Sequence, residues 1–304
     1  MKNKNSTITT WNDMPCDILL KIFVALDILD LVTGVSRVCS AWRAACFDPI
    51  LWRKIDLSTV KTDLVEIPMR ADDSFEDEPS NIVMLILKST VKFSRGNVSS
   101  LIFPFHISLW NEDIVWTAER FRNLKRLVLP ARNRLDIEAL EDAIMDWKDL
   151  ESLSIPCVYA PCDMMKAIGA SCKNFTELKI MCPFDIDFAH AIVVQTPQLK
   201  VLSLRCTLVF KDALLFLLLK LQHLEVLNLT HCLMVSHNRE AGCLVVYRQI
   251  EEEIIKNASH LKTFLSCKKA CPLCKIPTNE EGFLKWYDYD ERNWGMEEIP
   301  SLAI

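Results

Sequence analysis

The feature that most constrains the fold is a six-residue apolar pattern that returns along the chain at nearly constant spacing. Read as L-x-x-L-x-L, with other apolar residues allowed, the pattern begins at residues 98, 124, 150, 175, 199 and 224, and a weaker copy begins at 261. The first six starts are separated by 26, 26, 25, 24 and 25 residues, and the last interval is 37. A unit this short cannot close a core alone, so the spacing predicts a solenoid in which each repeat buries its apolar side chains against the next.

The segments between the copies have the spacing of amphipathic helices. These helices are predicted at residues 136–147, 164–172, 188–195 and 212–222. Strands that alternate with helices make an α/β fold, and the period is typical of a leucine-rich-repeat solenoid. We therefore predict such an array over residues 98–267, as an open arc with parallel strands on its concave face and helices on its convex face. The helix at 212–222 is apolar on nearly every side, which predicts its burial between neighbours.

The cysteines support the same register. The chain has 13 cysteines, no run of 18 apolar residues and a polar start unlike a signal peptide. We therefore expect a protein of the nucleus and/or cytoplasm whose cysteines are thiols rather than disulfides. Four cysteines follow the repeat strands, where leucine-rich repeats often carry Asn or Cys: Cys157, Cys182, Cys206 and Cys232. We interpret them as buried thiols that line the solenoid.

The polar positions of the strands are candidates for binding a target protein. In L-x-x-L-x-L the residues that flank the second apolar position point away from the core. The candidates for target binding are Arg126, Ser152, Glu177, Lys179, Arg205 and Asn228. Lys179 and Arg205 together could hold an acidic or phosphorylated group, although a solvated pair of cations explains them more simply. These positions carry charges of both signs and do not form a continuous basic surface. Since the net charge is also −5, we predict no nucleic-acid or membrane partner.

The first 57 residues form a different module. Pro15 suits the first turn of a helix, and the apolar residues that follow it recur at helical spacing as far as residue 26. A second helix is predicted over 28–35, and a third, capped by Ser36, ends before Asp48-Pro49. Helices this short cannot bury all of their apolar surface against one another. The surplus predicts a docking surface, while residues 1–10 are expected to be disordered.

Residues 11–57 resemble an F-box, the motif by which substrate receptors attach to cullin-RING ubiquitin ligases through a Skp-type adaptor. The resemblance rests on Met14-Pro15, Ile18, Ile22-Phe23, Leu26, Asp30-Leu31, Val38, Trp42-Arg43 and Leu51-Trp52. It departs from the usual motif at Met14 and at Cys16-Asp17. The residues that it implies on or just under the adaptor surface are Pro15, Ile18, Ile22, Phe23, Leu26, Leu31, Val38, Trp42, Leu51 and Trp52. The alternative is a helical hairpin packed on its own chain.

Taken whole, the chain resembles the plant F-box/leucine-rich-repeat proteins. The resemblance implies a non-catalytic substrate receptor of an SCF-type ubiquitin ligase. Its partners would be the Skp-type adaptor, through it the cullin and RING subunits, and an unknown target protein held by the array for ubiquitination and proteasomal degradation. The alternative function is a leucine-rich-repeat scaffold without a ligase.

Three segments interrupt the pattern. Residues 58–97 are interpreted as a linker and N-terminal cap that contains the acidic loop 72–78. After Cys232, an exposed loop at 236–242 and a long helix over 245–258 are expected. The tail, residues 268–304, is interpreted as a C-terminal cap. Its aromatic residues are Phe283, Trp286, Tyr287 and Trp294, which could instead contact a partner.

Few residues suggest catalytic chemistry. Cys271 and Cys274 form a C-x-x-C motif, with Cys267 before it and His260 as the nearest histidine in sequence. Zinc sites usually combine two such pairs, so simple thiols are favoured over a structural zinc or a redox dithiol, and both alternatives stay open. The sequence contains no P-loop, metalloprotease or nucleophile-elbow motif. We therefore predict no catalytic residue, no cofactor and no metal.

Overall fold

The computed structural model describes residues 11–60, 79–105, 107–156, 158–238, 243–247, 250–267, 298–299 and 301–302. These residues belong to two compact units, 1–104 and 105–304. The repeat that begins at 98 therefore falls in the first unit, although the sequence pattern placed it at the start of the array. Several predicted features lie outside the described residues: the disordered start at 1–10, the acidic loop 72–78, Cys157, Cys271, Cys274, Phe283, Trp286, Tyr287 and Trp294.

The first unit opens with short helices whose starts are set by proline and aspartate. Helices α1, α2 and α3 span Cys16–Phe23, Ile28–Thr33 and Ser40–Ala45, with 3-10 turns at Trp11–Asp13, Val35–Arg37 and Pro49–Trp52. The Asp27 carboxylate accepts a hydrogen bond from the Asp30 N–H at 2.8 Å, which caps α2. The prediction that Ser36 caps the third helix is wrong. Ser36 lies inside a 3-10 turn, and α3 follows the extended residue Cys39.

The rest of the first unit consists of one helix and two strands, and its core contains Trp52. Helix α4 spans Pro79–Ser94, and strand β1 (Lys54–Asp56) pairs in parallel with β2 (Ser100–Ile102). The fully buried Trp52 stacks on Phe93 with 5.3 Å between ring centroids. Its Nε1 donates a hydrogen bond to the Cys46 carbonyl at 2.6 Å. Trp52 therefore satisfies its polar atom while burying its ring, which makes it a core residue.

The second unit confirms the repeat register. Its strands are β3 (Ser108–Leu109), β4 (Arg126–Val128), β5 (Arg132–Asn133), β6 (Ser152–Ile155), β7 (Glu177–Ile180), β8 (Val201–Ser203), β9 (Leu208–Phe210), β10 (Val226–Leu229), β11 (Leu233–Asn238), β12 (Cys243–Tyr247) and β13 (Thr263–Ser266). Six of them pair in parallel in the order β4-β6-β7-β8-β10-β13. One buried row consists of Leu127, Leu153, Leu178, Leu202 and Leu227. Since these are the second apolar positions of successive repeats, the alternation predicted their burial.

Helices connect the strands, and each packs on the next. They are α5 (Asn111–Arg120), α6 (Ile137–Asp146), α7 (Pro161–Ser171), α8 (Ile186–Gln195), α9 (Lys211–Lys220) and α10 (Glu252–Asn257). The four predicted helices correspond to α6–α9. In α9 the side chains of Leu214, Leu217 and Leu218 are buried but Leu219 is exposed, so burial on every side, as expected from its composition, is wrong.

The C-terminal ends of α5–α9 share a structural feature that the sequence pattern did not indicate. The residue after each helix is fully buried, and its N–H donates to a carbonyl in the last turn. These residues are Phe121, Trp147, Cys172, Thr196 and Leu221. Their side chains differ too much to form a readable motif. They nevertheless occupy the same position in each repeat, because the backbone must leave each helix at the same place to enter the next strand.

The segment after Cys232 folds differently from the prediction. β11 pairs in parallel with β9 and in antiparallel with β12, so residues 243–247 form one arm of a strand pair. The predicted helix over 245–258 is therefore wrong in its first part, and α10 covers only Glu252–Asn257. The predicted loop at 236–242 is also shorter, since Ser236–Asn238 belong to β11. Val245, Val246 and Tyr247 favour extended backbone, and β11 offers them a strand edge.

Candidate functional site

The first unit exposes a concentration of large apolar side chains. Of the 18 large hydrophobic residues that are exposed among the described ones, residues 11–50 contain seven. They are Trp11, Ile18, Ile22, Val24, Leu29, Val38 and Ile50. Ile18 and Ile22 lie one turn apart on α1 and so share a face. Large apolar side chains that are exposed together in one short part of a chain are often found at protein-binding sites.

The residues implied by the F-box resemblance divide into three groups in this structure. Pro15, Ile18, Ile22 and Val38 are exposed, and Leu26 and Trp42 are half-buried. The other four, Phe23, Leu31, Leu51 and Trp52, are buried in the first unit. Of the two positions that the resemblance implies, on the surface or just under it, these four residues therefore occupy the second. They lie under the surface and support it.

Trp42 joins the buried and exposed groups. Its ring meets Phe23 at 5.2 Å and Trp11 at 5.8 Å, both in edge-to-face geometry. Its Nε1 donates a hydrogen bond to the Trp11 carbonyl at 3.2 Å. Trp42 thus ties the 3-10 turn at Trp11–Asp13 to α1 and α3, and it holds the exposed Trp11 ring in place. Aromatic pairs of this kind contribute about 0.5–1.5 kcal/mol beyond area burial.

Four exposed residues of this face were not among the expected contacts: Trp11, Val24, Leu29 and Ile50. Trp11 precedes the helical pattern and Val24 follows α1, so neither belongs to the stripe that predicted α1. Leu29 and Ile50 sit beside Ile28 and Leu51, which are buried. In helices this short, periodicity does not decide which of two neighbouring apolar residues faces the solvent.

In the second unit, the strand pairing places the predicted target-binding residues in two rows. Arg126, Ser152 and Glu177 share one row, which continues to Val201 and Val226. Lys179 and Asn228 belong to the second row, with Ser203 between them. Arg205 follows β8. The structure therefore brings together residues from four strands that are far apart in sequence.

None of these six residues is exposed. Arg126 and Glu177 are half-buried, while Ser152, Lys179, Arg205 and Asn228 are buried. The simpler expectation for Lys179 and Arg205, a solvated pair of cations, is therefore wrong. Three residues of the tail account for part of this burial: Glu298 contacts Lys179 and Asn228, and Ile299 and Leu302 pack on Val201 with Val226 and Leu265 beside them.

A buried carboxylate occupies the second row. Glu298 Oε2 lies 3.0 Å from Lys179 Nζ and accepts a hydrogen bond from Ser203 Oγ at 3.1 Å. Its Oε1 accepts from Asn228 Nδ2 at 2.8 Å and from the Ile299 N–H at 2.9 Å. Burial lowers the pKa of Lys179 to about 8, against the opposing effect of Glu298 and with a smaller lowering from Arg205. Sequence reasoning missed Glu298, which lay in a tail interpreted only as a cap.

The thiols of the repeat turns are buried as predicted at Cys182 and Cys206, while Cys232 is half-buried. The Cys232 Sγ donates to the Leu204 carbonyl at 2.8 Å, and burial raises the pKa of this thiol. Cys267 lies 3.1 Å from Nδ1 of His231, so its histidine neighbour is His231 and not His260. Within the described residues, no group of three or more His, Cys, Asp or Glu side chains could hold a metal ion.

Comparison with known proteins matches residues 11–58 to the F-box-like family. The chain is 38% identical to the F-box/LRR-repeat protein At3g48880 of Arabidopsis thaliana, over 97% of this chain and 96% of that protein. It is 28% identical to the putative F-box protein At4g11580 of the same plant, covering 90% and 92% of the two chains. The putative F-box/LRR-repeat protein 9 of that plant is 26% identical over 77% of this chain and 92% of its own length.

Among solved structures, the chain is similar to one titled "Crystal structure of TLR13-ssRNA13 complex". The TM-score is 0.37 and the identity 17%, over 55% of this chain and 22% of that one; a likeness this low adds nothing to the strand pairing described above. In the part of the chain that the structure describes, no helix is both long and apolar enough to cross a membrane.

Proposed function

The chain belongs to the plant F-box/LRR-repeat proteins, and from that premise we propose that it is the substrate-recognition subunit of an SCF-type ubiquitin ligase. In this proposal the F-box docks on a Skp-type adaptor and through it on the cullin and RING subunits. The repeat array holds a target protein for ubiquitination and degradation by the proteasome. The protein would act in the nucleus and/or cytoplasm.

The observation that carries the proposal is the exposed apolar face of the F-box unit. An adaptor that covered Ile18, Ile22 and Val38 would remove apolar surface from water, at roughly 25 cal/mol for each Å². Trp11 adds an aromatic side chain of the kind that dominates the binding energy of many interfaces. The buried residues below, Phe23 and Trp52 among them, would contribute rigidity so that little ordering entropy is lost on binding.

The proposed mechanism is proximity, with no catalytic residue in this chain. A lysine of the bound target would be held near the ubiquitin carried by the ligase, so that a bimolecular attack becomes effectively intramolecular. The receptor then has to do two things, which are to bind the adaptor and to hold the target. The two compact units match these two tasks.

The test compares two valines of nearly equal exposure. Val38 is 55% exposed in the F-box unit, and Val194 is 54% exposed in α8 of the array. We expect Val38→Glu to weaken capture of a purified Skp-type adaptor by at least about tenfold, because an unpaired carboxylate would be buried in the interface. The Val194→Glu variant should capture the adaptor as the wild type does. Circular dichroism checks that both variants are folded.

The competing function is a leucine-rich-repeat scaffold with no ligase attached. It predicts that the wild-type chain captures no adaptor and that Val38→Glu and Val194→Glu behave alike. Either result would remove the ligase proposal.

A further inference from the structure

The strongest unassigned feature of the second unit is the carboxylate site under Glu298. Each of three adjacent strands contributes one polar group to it: Lys179 from β7, Ser203 from β8 and Asn228 from β10. The Glu298 side chain is fully buried, and so are all three of its strand partners. A carboxylate with an ion pair and three hydrogen bonds is well satisfied, so these residues form a built site for an acidic group.

The groups around the site favour an occupant that carries negative charge. Lys179 is buried, and Arg205, also buried, lies close enough to lower the pKa of Lys179 further. A buried cation is costly without a partner. The carboxylate of Glu298 therefore offsets part of the cost of burying positive charge in this row.

Apolar contacts beside the carboxylate define the rest of the site. Ile299 and Leu302 follow Glu298 by one and four residues, and they pack on Val201, with the half-buried Val226 and Leu265 next to them. Val201 and Val226 belong to the first row of the strand face, next to the polar second row. The site thus holds an acidic residue, Glu298, together with the aliphatic residues at the first and fourth positions after it.

We propose that this site binds the target of the receptor, as a protein segment with an acidic residue and aliphatic residues at these spacings, and that Glu298, Ile299 and Leu302 occupy it in the free chain. The proposal deepens the proposed function and rests on it. Charge complementarity at Lys179 supports this occupant, and the chain's own tail shows how such a segment fits the site. A target then has to displace this segment, so its apparent affinity is reduced by the fraction of chains in which the site is open.

The test uses full-length chains and a synthetic peptide. The opened variant is Ile299→Asp/Leu302→Asp, which removes the apolar contacts of the chain's own segment. The probe is a fluorescent peptide with the sequence of residues 295–304, GMEEIPSLAI, and its control has Gln in place of the glutamate that corresponds to Glu298. We expect the probe to bind the opened variant at least about tenfold more tightly than the wild type, as measured by anisotropy.

Two further variants locate the binding. Adding Lys179→Met to the opened variant should abolish binding of the probe, and adding the milder Ser203→Ala should weaken it by about threefold to tenfold. Circular dichroism identifies any variant that fails to fold, and Ser203→Ala carries the test if Lys179→Met is one of them. The inference is overturned if the opened variant does not bind the probe, or if the Glu and Gln peptides bind equally well.

Adaptor capture by the same samples separates this inference from the proposed function. None of these substitutions touches the F-box, so all variants should capture the adaptor. A chain that captures the adaptor but ignores the probe overturns only the site. If a chain binds the probe but captures no adaptor, the carboxylate site stands and its use in a ligase is overturned.

Discussion

The two candidate binding surfaces of this protein differ in what covers them. The F-box face leaves Trp11, Ile22 and Val38 exposed, whereas the polar row of the array buries Lys179 and Asn228 under Glu298. Exposed apolar surface costs free energy in proportion to its area and needs no particular partner. Burying a charge is costly, and a counter-charge in contact with it offsets that cost. An apolar docking face can therefore remain open, while a covered charged site requires an occupant even in the free chain.

The largest expected effect is the loss of stability when Trp52, a core residue of the F-box unit, is replaced. Trp52→Ala removes a fully buried indole that stacks on Phe93, and it should lower the free energy of unfolding by about 3–5 kcal/mol. Adaptor capture would then be lost through unfolding. Val38→Glu should lose capture with its stability unchanged. Chemical denaturation of both variants separates these causes, and a Trp52→Ala chain of wild-type stability would contradict the assignment of Trp52 to the core.

The pH dependence of stability tests the charged site. The pKa of Lys179 is lowered to about 8 in the folded chain, from 10.5, so the unfolded chain binds the proton more tightly. The free energy of unfolding should therefore rise as pH increases from about 8 to about 10.5, and the titration of Lys179 should add no further change below or above this range. The full contribution is a few kcal/mol at most.

The measurement for Lys179 is denaturant unfolding of the wild type and of Lys179→Met across this pH range. Other groups titrate there as well, so only the difference between the two chains reports on Lys179. Parallel curves would show that Lys179 is not perturbed and would weaken the assignment of a buried charged site.

Alanine substitutions at two glycines, one in each unit, compare how tightly the helices of the two units are packed. A Cβ at Gly169 in α7 would lie 2.6 Å from the Gln195 carbonyl oxygen, whereas a Cβ at Gly34 after α2 would lie 3.1 Å from that of Asp30. Gly169→Ala should therefore destabilise the array by about 1–3 kcal/mol. Gly34→Ala should cost less in the F-box unit. Thermal unfolding measures both losses of stability. If Gly169→Ala costs no more than Gly34→Ala, helix α7 and Gln195 can move apart more easily than this contact indicates.

The smallest effect concerns thiol reactivity. Cys16 is exposed at the start of α1, next to Pro15 on the proposed adaptor face, whereas Cys46 and Cys172 are buried. Burial raises the pKa of Cys46 to about 11 and that of Cys172 to about 12, so both stay protonated near neutral pH and react slowly. Alkylation followed by mass spectrometry should label Cys16 first. Bound adaptor should protect Cys16, and labelling that is unchanged by the adaptor would place the interface elsewhere.

Sequence periodicity anticipated the elements that repeat. Leu127, Leu153 and Leu178 are in register because every repeat must place the same apolar side chain in the same row. The pattern was weaker where repetition stops. Residues 245–247 fit a helix as well as a strand in isolation, and they form β12 because β11 is available to pair with them.

The sequence by itself determined the repeat register, the parallel order of the strands and the presence of the F-box, because each depends on local spacing that any window of the chain displays. Tertiary structure decided which apolar residues of the F-box face the solvent and which lie beneath them. It also decided what covers Lys179. Glu298 reaches Ser203 and Asn228 across 95 and 70 residues of chain, and no local pattern marks a contact over such a distance. The free energy that selects this contact comes from the demand of a buried charge for a partner, which arises only once the strands have assembled.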